Sequence, residues 1–176
     1  MTLHISSFEG ASALSPFRVA QLLPRLAAIH DSITGIAARY VHLVACDAQP
    51  DAALSSKLAA LLTYGEPYVG PQENTQEGTL VVVLPRLGTV SPWASKATDI
   101  ARNCGLKVKR VERLVEYRLT LKSGLLSKPS LSPAQWGQVA DLLHDRMTES
   151  ALAERSQAHA LFTELQAEPM ANVDVL

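Results

Sequence analysis

The chain has 176 residues, of which 47% are hydrophobic and 19% are charged, a composition typical of a soluble globular protein. Its formal net charge of -1 argues against a nucleic-acid binder, because neutralising phosphates requires a basic surface. No apolar run approaches the roughly 20 residues of a membrane-spanning helix, and the amino terminus lacks the pattern of a secretory signal. We therefore expect a cytoplasmic protein in which Cys46 and Cys104 are buried free thiols.

The first third of the chain predicts a strand, a helix and a second strand. Residues 3–8 form the short first strand, and Ser15-Pro16 opens the helix, since serine is a good N-cap and proline fits the first helical position. Pro24 should kink or shorten this helix, because it removes a backbone hydrogen bond. Residues 33–46 predict a long strand that is bulged or bent near Gly35. The predicted core positions of the helix are Phe17, Leu22, Leu26 and Ile29.

A second helix and a loop complete the first half. Residues 51–64 predict the helix, and Gly65 suits the position just after its end. Residues 66–78 contain Pro, Gly, Asn and Gln without periodicity, which predicts a connecting loop. The inward positions of the helix are Leu54, Leu58, Leu61 and Leu62.

The central stretch, residues 86–106, combines a loop with a well-capped helix. It follows an apolar strand over residues 80–84, and Ser91-Pro92 starts the helix that Gly105 ends. The apolar face of this helix is predicted to contain Trp93, Ala97, Ile100, Ala101 and Cys104. The polar face and the preceding loop carry Ser95, Lys96, Thr98, Asp99 and Arg102 together with Arg86, Gly88, Thr89 and Ser91.

Local chemistry leaves two interpretations of this polar surface open. It is either a solvated outer face, or an anion-binding site in which the unpaired N–H groups of the helix start favour negative charge. The stretch contains neither the Gly-x-x-x-x-Gly-Lys-Ser/Thr loop nor the Gly-x-Gly-x-x-Gly fingerprint of nucleotide-binding proteins.

The second half repeats the order strand, Ser-Pro helix, long strand, helix. Residues 108–121 predict the long strand, and Ser132-Pro133 caps a fourth helix that continues to Met147. One face of the long strand should carry Val111, Arg113, Val115, Tyr117, Leu119 and Leu121. The repetition suggests a duplication of residues 1–66 and 78–148, in an α+β fold whose antiparallel or mixed sheet has helices on one side.

The carboxyl-terminal stretch, residues 149–176, has a different composition. Residues 150–165 have weak helical periodicity but are rich in Ala, Gln, Ser and Glu. We expect a linker or docking segment that is weakly ordered without a partner. The abrupt end at Leu176 suggests that the chain is cut from a longer protein.

No set of residues in the sequence forms a self-sufficient catalytic or metal centre. The five histidines are scattered without metal-ligand spacing, and a lone His42 in a strand is interpreted as structural. His144, Asp145 and Arg146 would point in different directions on a helix, which favours a solvated face. No nucleophile-elbow motif is present.

With these motifs in view, the chain resembles the amino-terminal domain of phosphoribosylformylglycinamidine synthase in its large, single-chain form. The similar segments are residues 13–18, 40–42, 61–65, 85–106 and 144–149, with 172–176 similar to the linker of the family. The stretch 85–106 is the most specific of these. It departs from the expected family pattern at Leu87, Ala94 and Arg102, where proline, serine and histidine are expected.

The resemblance implies a fold of two fused copies of the small PurS subunit, with ferredoxin-like relatives, over residues 1–148, followed by a linker toward an absent synthetase domain. It implies no catalysis, cofactor or metal in this chain, whereas ATP and Mg are expected in the full ligase of purine biosynthesis. The implied role is an adaptor that bridges the glutaminase and synthetase domains and supports ammonia transfer. The residues expected at the interdomain interface are Arg86, Gly88, Thr89, Ser91, Trp93, Ser95, Lys96, Thr98 and Asp99. The alternatives are a free-standing phosphate- or nucleotide-binding sensor and a self-associating domain.

Overall fold

The computed structural model describes residues 3–71, 79–122 and 129–163 of the chain. Five strands are assigned: β1 (His4–Ser12), β2 (Ile33–Cys46), β3 (Thr79–Pro85), β4 (Arg110–Leu121) and β5 (Glu149–Leu152). The α-helices are α1 (Pro16–Ile29), α2 (Ala52–Leu62), α3 (Pro92–Asn103) and α4 (Pro133–Leu143), and a 3₁₀ helix covers Arg155–Phe162.

The strands form one antiparallel sheet in the order β1-β2-β4-β3-β5. Within each half the first strand pairs with the second, β1 with β2 and β3 with β4, and the halves join along β2 and β4. The predicted α+β class with helices on one side is therefore confirmed. The two halves pair their strands in the same way, which a duplication requires, and the duplication itself stays a prediction.

The helices cover one face of this sheet as two pairs. Alternate residues of the central strands point to this face, including Ile36, Ala38 and Val44 of β2 and Val111 and Leu119 of β4. α1 and α4 pack over one end of the strands, and α2 and α3 pack over the other end. The space between the two pairs leaves clefts at the helix starts, which is where the candidate site lies.

Side-chain caps fix where the four helices begin. Each cap is a residue in extended conformation whose oxygen accepts a hydrogen bond from the backbone N–H three residues later. The caps are Ser15, Asp51, Ser91 and Ser132. The predicted helix starts are confirmed, as is the irregularity near Gly35, where the register of β2 against β4 shifts.

Two predictions about helix length and packing are wrong, and a third is wrong in part. α1 is not shortened at Pro24 but continues to Ile29, because Leu22 and Leu26 are buried against the sheet on either side of the lost hydrogen bond; the predicted kink stays a prediction. Phe17 is 70% exposed and lies outside the core. α4 ends at Leu143 and not at Met147, so His144, Asp145 and Arg146 lie in a turn and not on a helix.

The prediction of two buried thiols is half right. Cys46 is buried among the residues between α2, α3 and the sheet, whereas Cys104 is exposed. The cause is the rotation of α3, which buries the stripe Ala94, Thr98 and Ala101 and turns Cys104 outward.

The opposite face of the sheet is covered by residues that the sequence assigned to a weakly ordered segment. β5 extends the sheet beside β3, and the 3₁₀ helix buries Ala158 and Leu161 against Val41 and Leu114. Residues 149–162 therefore belong to the folded domain and are not the weakly ordered linker or docking segment that was expected over residues 149–176. The predicted linker beyond residue 163 lies outside the described residues.

A buried ion-pair network holds the 3₁₀ helix on this face. Arg155 Nη2 donates to Glu116 Oε2 at 2.8 Å, and Arg39 donates to the same oxygen at 3.2 Å. Burial alone raises the pKa of Glu116, but the hydrogen bonds and charges of Arg155 and Arg39 outweigh it and lower the pKa below its ordinary value. The ionised carboxylate therefore fixes the carboxyl-terminal part of the described domain to the centre of the sheet.

Candidate functional site

The loop between β3 and α3 is a tight, internally bonded turn. Both the backbone N–H and the hydroxyl of Thr89 donate to the carbonyl of Arg86, at 3.1 and 2.6 Å. Gly88 has a φ of 82°, a left-handed conformation that glycine adopts without steric cost. Ser91 then accepts from the N–H of Ala94 at 3.0 Å and starts the helix. The turn therefore has a defined shape before any ligand or partner binds.

The nine residues predicted for an interdomain interface differ in their exposure. Those on the surface are Arg86, Gly88, Thr89, Ser95, Lys96 and Asp99, and those half-buried are Ser91 and Trp93. Thr98 is only 6% exposed, and its hydroxyl oxygen accepts the N–H of Val111 at 2.9 Å. Its placement on the polar outer face is therefore wrong, because it belongs to the buried stripe of α3. By the same rotation Ile100, predicted inside, is 47% exposed.

Beside this loop lies a cleft of about 620 Å³ between the two helix pairs. It is formed by the end of β3, the start of α3, the middle of β4 and the turn before β5. Its charged lining residues are Arg86, Arg113 and Glu149. Its apolar and aromatic lining includes Tyr40, Val90, Trp93 and Met147. We call this space the second-half cleft.

A cluster of aromatic rings around Arg113 forms the inner wall of the second-half cleft. The guanidinium carbon lies 4.3 Å from the ring centre of Tyr40 and 4.6 Å from that of Trp93. Cation–π attraction at these distances holds a guanidinium between two aromatic faces. Arg113 Nη1 also donates to the hydroxyl of Tyr64 at 3.3 Å. The cation is thus fixed by three aromatic residues from β2, α3 and the segment after α2.

His42 lies beneath this cluster and is fully buried. Its Nε2 is 2.7 Å from the hydroxyl of Tyr64, and its ring contacts those of Tyr64 and Trp93. Burial, followed by the positive charge of Arg113, lowers the pKa of His42 to about 4, although a backbone hydrogen bond at Phe8 opposes the shift. The ring is neutral at neutral pH. The structural interpretation of His42 agrees with this setting.

Gly10 shows how closely the chain packs on His42. A Cβ at Gly10 would lie 2.8 Å from Cε1 of His42 and 3.1 Å from the carbonyl oxygen of Tyr40. Real Cβ atoms do not approach this closely, so β1 needs a glycine where it crosses the ring. The cluster is therefore packed from below as well as from the cleft.

Arg110 connects the loop to the other face of the sheet. Its Nη2 donates to the carbonyl of Thr89 at 2.9 Å, and its Nη1 donates to that of Leu161 at 2.8 Å. It also forms an ion pair with the buried Glu112. The pKa of Glu112 is raised, because the desolvation of its carboxylate outweighs the charge of Arg110 and the hydrogen bonds that the carboxylate accepts. One side chain thereby couples the β3–α3 turn, the sheet and the 3₁₀ helix.

Sequence reasoning missed Tyr40, Arg110 and Arg113 as members of the site. A signal for Arg113 was available, because strand alternation placed this charge on an otherwise mostly apolar face. The contacts of Arg110 depend on tertiary pairing and left no local pattern. Conversely, Ser95 and Asp99 lie on the exposed side of α3 and do not line the second-half cleft.

The described residues carry neither a metal-binding cluster nor a helix that could span a membrane. Among the residues that the structure describes, no group of three or more His, Cys, Asp or Glu side chains could hold a metal ion. None of the helices in that part of the chain is long and apolar enough to cross a membrane.

A comparison with protein families places most of the chain in a known family. The family described as formylglycinamide ribonucleotide amidotransferase N-terminal matches residues 39–162. The matched region runs from the middle of β2 through the 3₁₀ helix and contains Tyr40, Tyr64, Trp93 and Arg113. The match ends at Phe162, which is the last residue of the 3₁₀ helix.

Proposed function

Because the chain belongs to the family of formylglycinamide ribonucleotide amidotransferase N-terminal domains, which points to a purine-biosynthesis amidotransferase, we propose that it is a non-catalytic adaptor domain. In this proposal it bridges the glutaminase and synthetase domains of a ligase and supports the transfer of ammonia between them. ATP and Mg would be bound by the synthetase domain and not by this chain. The β3–α3 turn and the start of α3 are the proposed contact surface.

The observation that carries the proposal is the set of apolar side chains exposed around that turn. Leu87 and Val90 are exposed in the turn itself, and Met147, which is 77% exposed, faces the same cleft. Ile100 adds a further exposed apolar side chain on α3. Exposed apolar groups gathered around one feature and rimmed by polar ones are typical of protein interaction sites. Arg86, Thr89 and Lys96 supply the polar rim.

The cluster beneath the turn has the properties of a rigid support. His42 is neutral, fully buried and bonded to Tyr64, so its ring has no access to a substrate proton. Tyr64 and Arg113 bond to each other, and Arg110 fixes the turn from behind. Rigid elements that present a defined surface reduce the entropic cost of association.

Complementation in trans tests this role. A synthetase–glutaminase protein lacking the domain should regain glutamine-dependent product formation when this chain is added. The substitution V90D should lower the restored activity about fivefold or more, because it places a charge at an apolar contact. V69D is the matched control, since Val69 is 88% exposed, lies in the segment after α2 and does not line the second-half cleft. Absence of restoration by the folded chain, or equal effects of V90D and V69D, would contradict the proposal.

A further inference from the structure

Arg113 differs from the other arginines that are withdrawn from solvent. In the described part of the chain, the buried or half-buried arginines are Arg39, Arg110, Arg113, Arg118 and Arg155. Four of these five form an ion pair with a glutamate, either Glu112 or Glu116. For Arg113, no carboxylate among the described residues lies within ion-pair distance. Arg113 therefore carries a positive charge that no described carboxylate balances, and this charge attracts an anion that approaches it.

The guanidinium is nevertheless held in a fixed position. Tyr40 and Trp93 cover it at 4.3 and 4.6 Å, and Tyr64 accepts a hydrogen bond from Nη1 at 3.3 Å. Its other N–H groups have no acceptor among the residues in the described ranges. Because the side chain lines the second-half cleft, these donors are available to a molecule that enters it. The rotamer entropy that a free arginine loses on binding is already lost here.

The chemistry of the cleft selects a carboxylate. A guanidinium presents its N–H groups as a planar fork that matches the two oxygens of a carboxylate. The charged residues of the cleft, Arg86, Arg113 and Glu149, sum to a single positive charge, which balances one carboxylate better than a doubly charged phosphate. Val90 and Met147 provide an apolar wall for the remainder of the molecule.

We propose that Arg113 is the anchor of a binding site for a carboxylate-bearing ligand in the second-half cleft. The site takes the carboxylate on the free N–H groups of the guanidinium, with the exposed Arg86 at the rim as a second cation. This inference goes beyond the adaptor role and does not depend on it, since the geometry that carries it lies within this chain. The ligand is either a free molecule or the side-chain carboxylate of a neighbouring domain.

Side-chain NMR of the Arg113 Nε–H group tests the site directly in the intact chain. Titration with sodium acetate should give a saturable shift of this signal, whereas sodium chloride at equal ionic strength should not. Inorganic phosphate should bind at least about threefold more weakly than acetate. The variant R113K keeps the charge but loses the fork, and should weaken acetate binding at least about threefold, as followed through backbone signals of the cleft. R113Q should weaken it about tenfold or more, and R18Q, an exposed arginine of α1, should leave it unchanged.

The outcomes separate the possibilities. A missing saturable shift, equal midpoints for the unsubstituted chain and R113K, or an equal response to chloride would overturn the site. Tighter binding of phosphate than of acetate would overturn the assignment to carboxylates. Repeating the acetate titration with the rest of the enzyme bound identifies the source: loss of the acetate shift assigns the carboxylate to a neighbouring domain, and persistence assigns it to a free molecule. Failure of complementation would leave the acetate result intact, so the two proposals fail separately.

Discussion

The starts of α1 and α3 have the same local sequence pattern but different surroundings. Each begins with serine, proline and an aromatic residue, and in each the serine caps the helix. At α3 the aromatic residue, Trp93, is half-buried and covers the guanidinium of Arg113. At α1 the aromatic residue, Phe17, is exposed, and the adjacent cleft is lined mostly by apolar residues such as Ala13, Ala37 and Ala38, with Glu66 as the charged residue of its lining. We call this space the first-half cleft.

The difference shows that a cap fixes where a helix starts but not what its first turn contacts. The caps are equivalent because a serine hydroxyl and a proline ring act on the backbone within three residues. The contacts of the aromatic side chain depend on the strand that it faces. Beneath α3, strand β4 supplies Arg113, whereas in the first-half cleft strand β2 supplies Ala37 and Ala38. Of these two clefts, the second-half cleft is the one that combines a fixed cation with an aromatic wall.

Replacing Trp93 or Phe17 by alanine measures how much each aromatic ring contributes to stability at its helix start. W93A should lower the free energy of unfolding by about 2–3 kcal/mol, because it removes a half-buried ring and its contacts with Arg113 and His42. F17A should change it by less than about 0.5 kcal/mol, since the ring lies mostly in solvent. Urea denaturation of both variants checks this. Equal losses would mean that the two helix starts are packed alike, contrary to the comparison.

The buried His42 predicts a loss of stability toward acid. Its pKa is lowered to about 4 in the folded chain, against an ordinary value of 6.5, so the neutral ring stabilises the fold fully above pH 6.5. This contribution is lost progressively as the pH falls from 6.5 toward 4, and about 2 kcal/mol of it should disappear between pH 7 and pH 5. Denaturation of the unsubstituted chain at the two pH values measures the loss. H42Q should be less stable at pH 7 but should lack this slope, whereas H159Q should retain it.

The hydroxyl of Tyr64 joins His42 to Arg113, and its removal should have a smaller effect. Y64F leaves the buried Nε2 of His42 without its partner and should cost about 1–2 kcal/mol in the free energy of unfolding. Y40F is the matched control, because it keeps the ring over Arg113 and should change stability by less than about 0.5 kcal/mol. Thermal denaturation distinguishes the two variants. A neutral Y64F would show that the histidine–tyrosine–arginine connection contributes little.

The sequence predicted those elements whose signals lie within a few neighbouring residues, and it failed where the structure depends on contacts between distant residues. Strand alternation, short apolar runs and capping residues act over a few residues, and they placed β2, β3, β4 and the helix starts correctly. The predicted burial of α3 residues was wrong at Thr98 and Ile100. The face that packs on β4 is determined by the small residues Ala94 and Ala101, which fit against the strand, and not by hydrophobicity alone. β5 and the 3₁₀ helix were missed because their order comes from pairing with β3 and from the ion pair between Arg155 and Glu116.

The sequence singled out one border of the candidate site but not the cluster beneath it, and the role of the predicted interface residues stays a prediction. The loop and helix start singled out by their residue types do border the second-half cleft. The cluster that gives the cleft its chemistry combines residues from four separate segments, around Tyr40, Tyr64, Trp93 and Arg113. Their spacing in the sequence does not predict that they meet. They come together because β2 pairs with β4, and because α3 and the segment after α2 pack over these two strands.

The smallest effect on stability is expected at the outer side of α3, where Lys96 lies exposed beside Ile100 in an apolar groove between α2 and α3. K96A should change the free energy of unfolding by less than about 0.5 kcal/mol. If α3 contacts the synthetase domain, the same substitution should weaken complementation about two- to fivefold, the effect expected from one charge at the rim of an interface. Product formed per glutamine hydrolysed is the measurement.

K57A provides the control on the neighbouring helix, since Lys57 is an exposed lysine of α2. It should leave both stability and coupling unchanged, so a difference between the two lysines isolates position from loss of charge. Combining K96A with V90D extends the test, because two substitutions in one interface that share a partner surface lose activity non-additively. Unchanged coupling in K96A would confine the contact surface to the β3–α3 turn and the second-half cleft, and would leave the outer side of α3 as a solvated face.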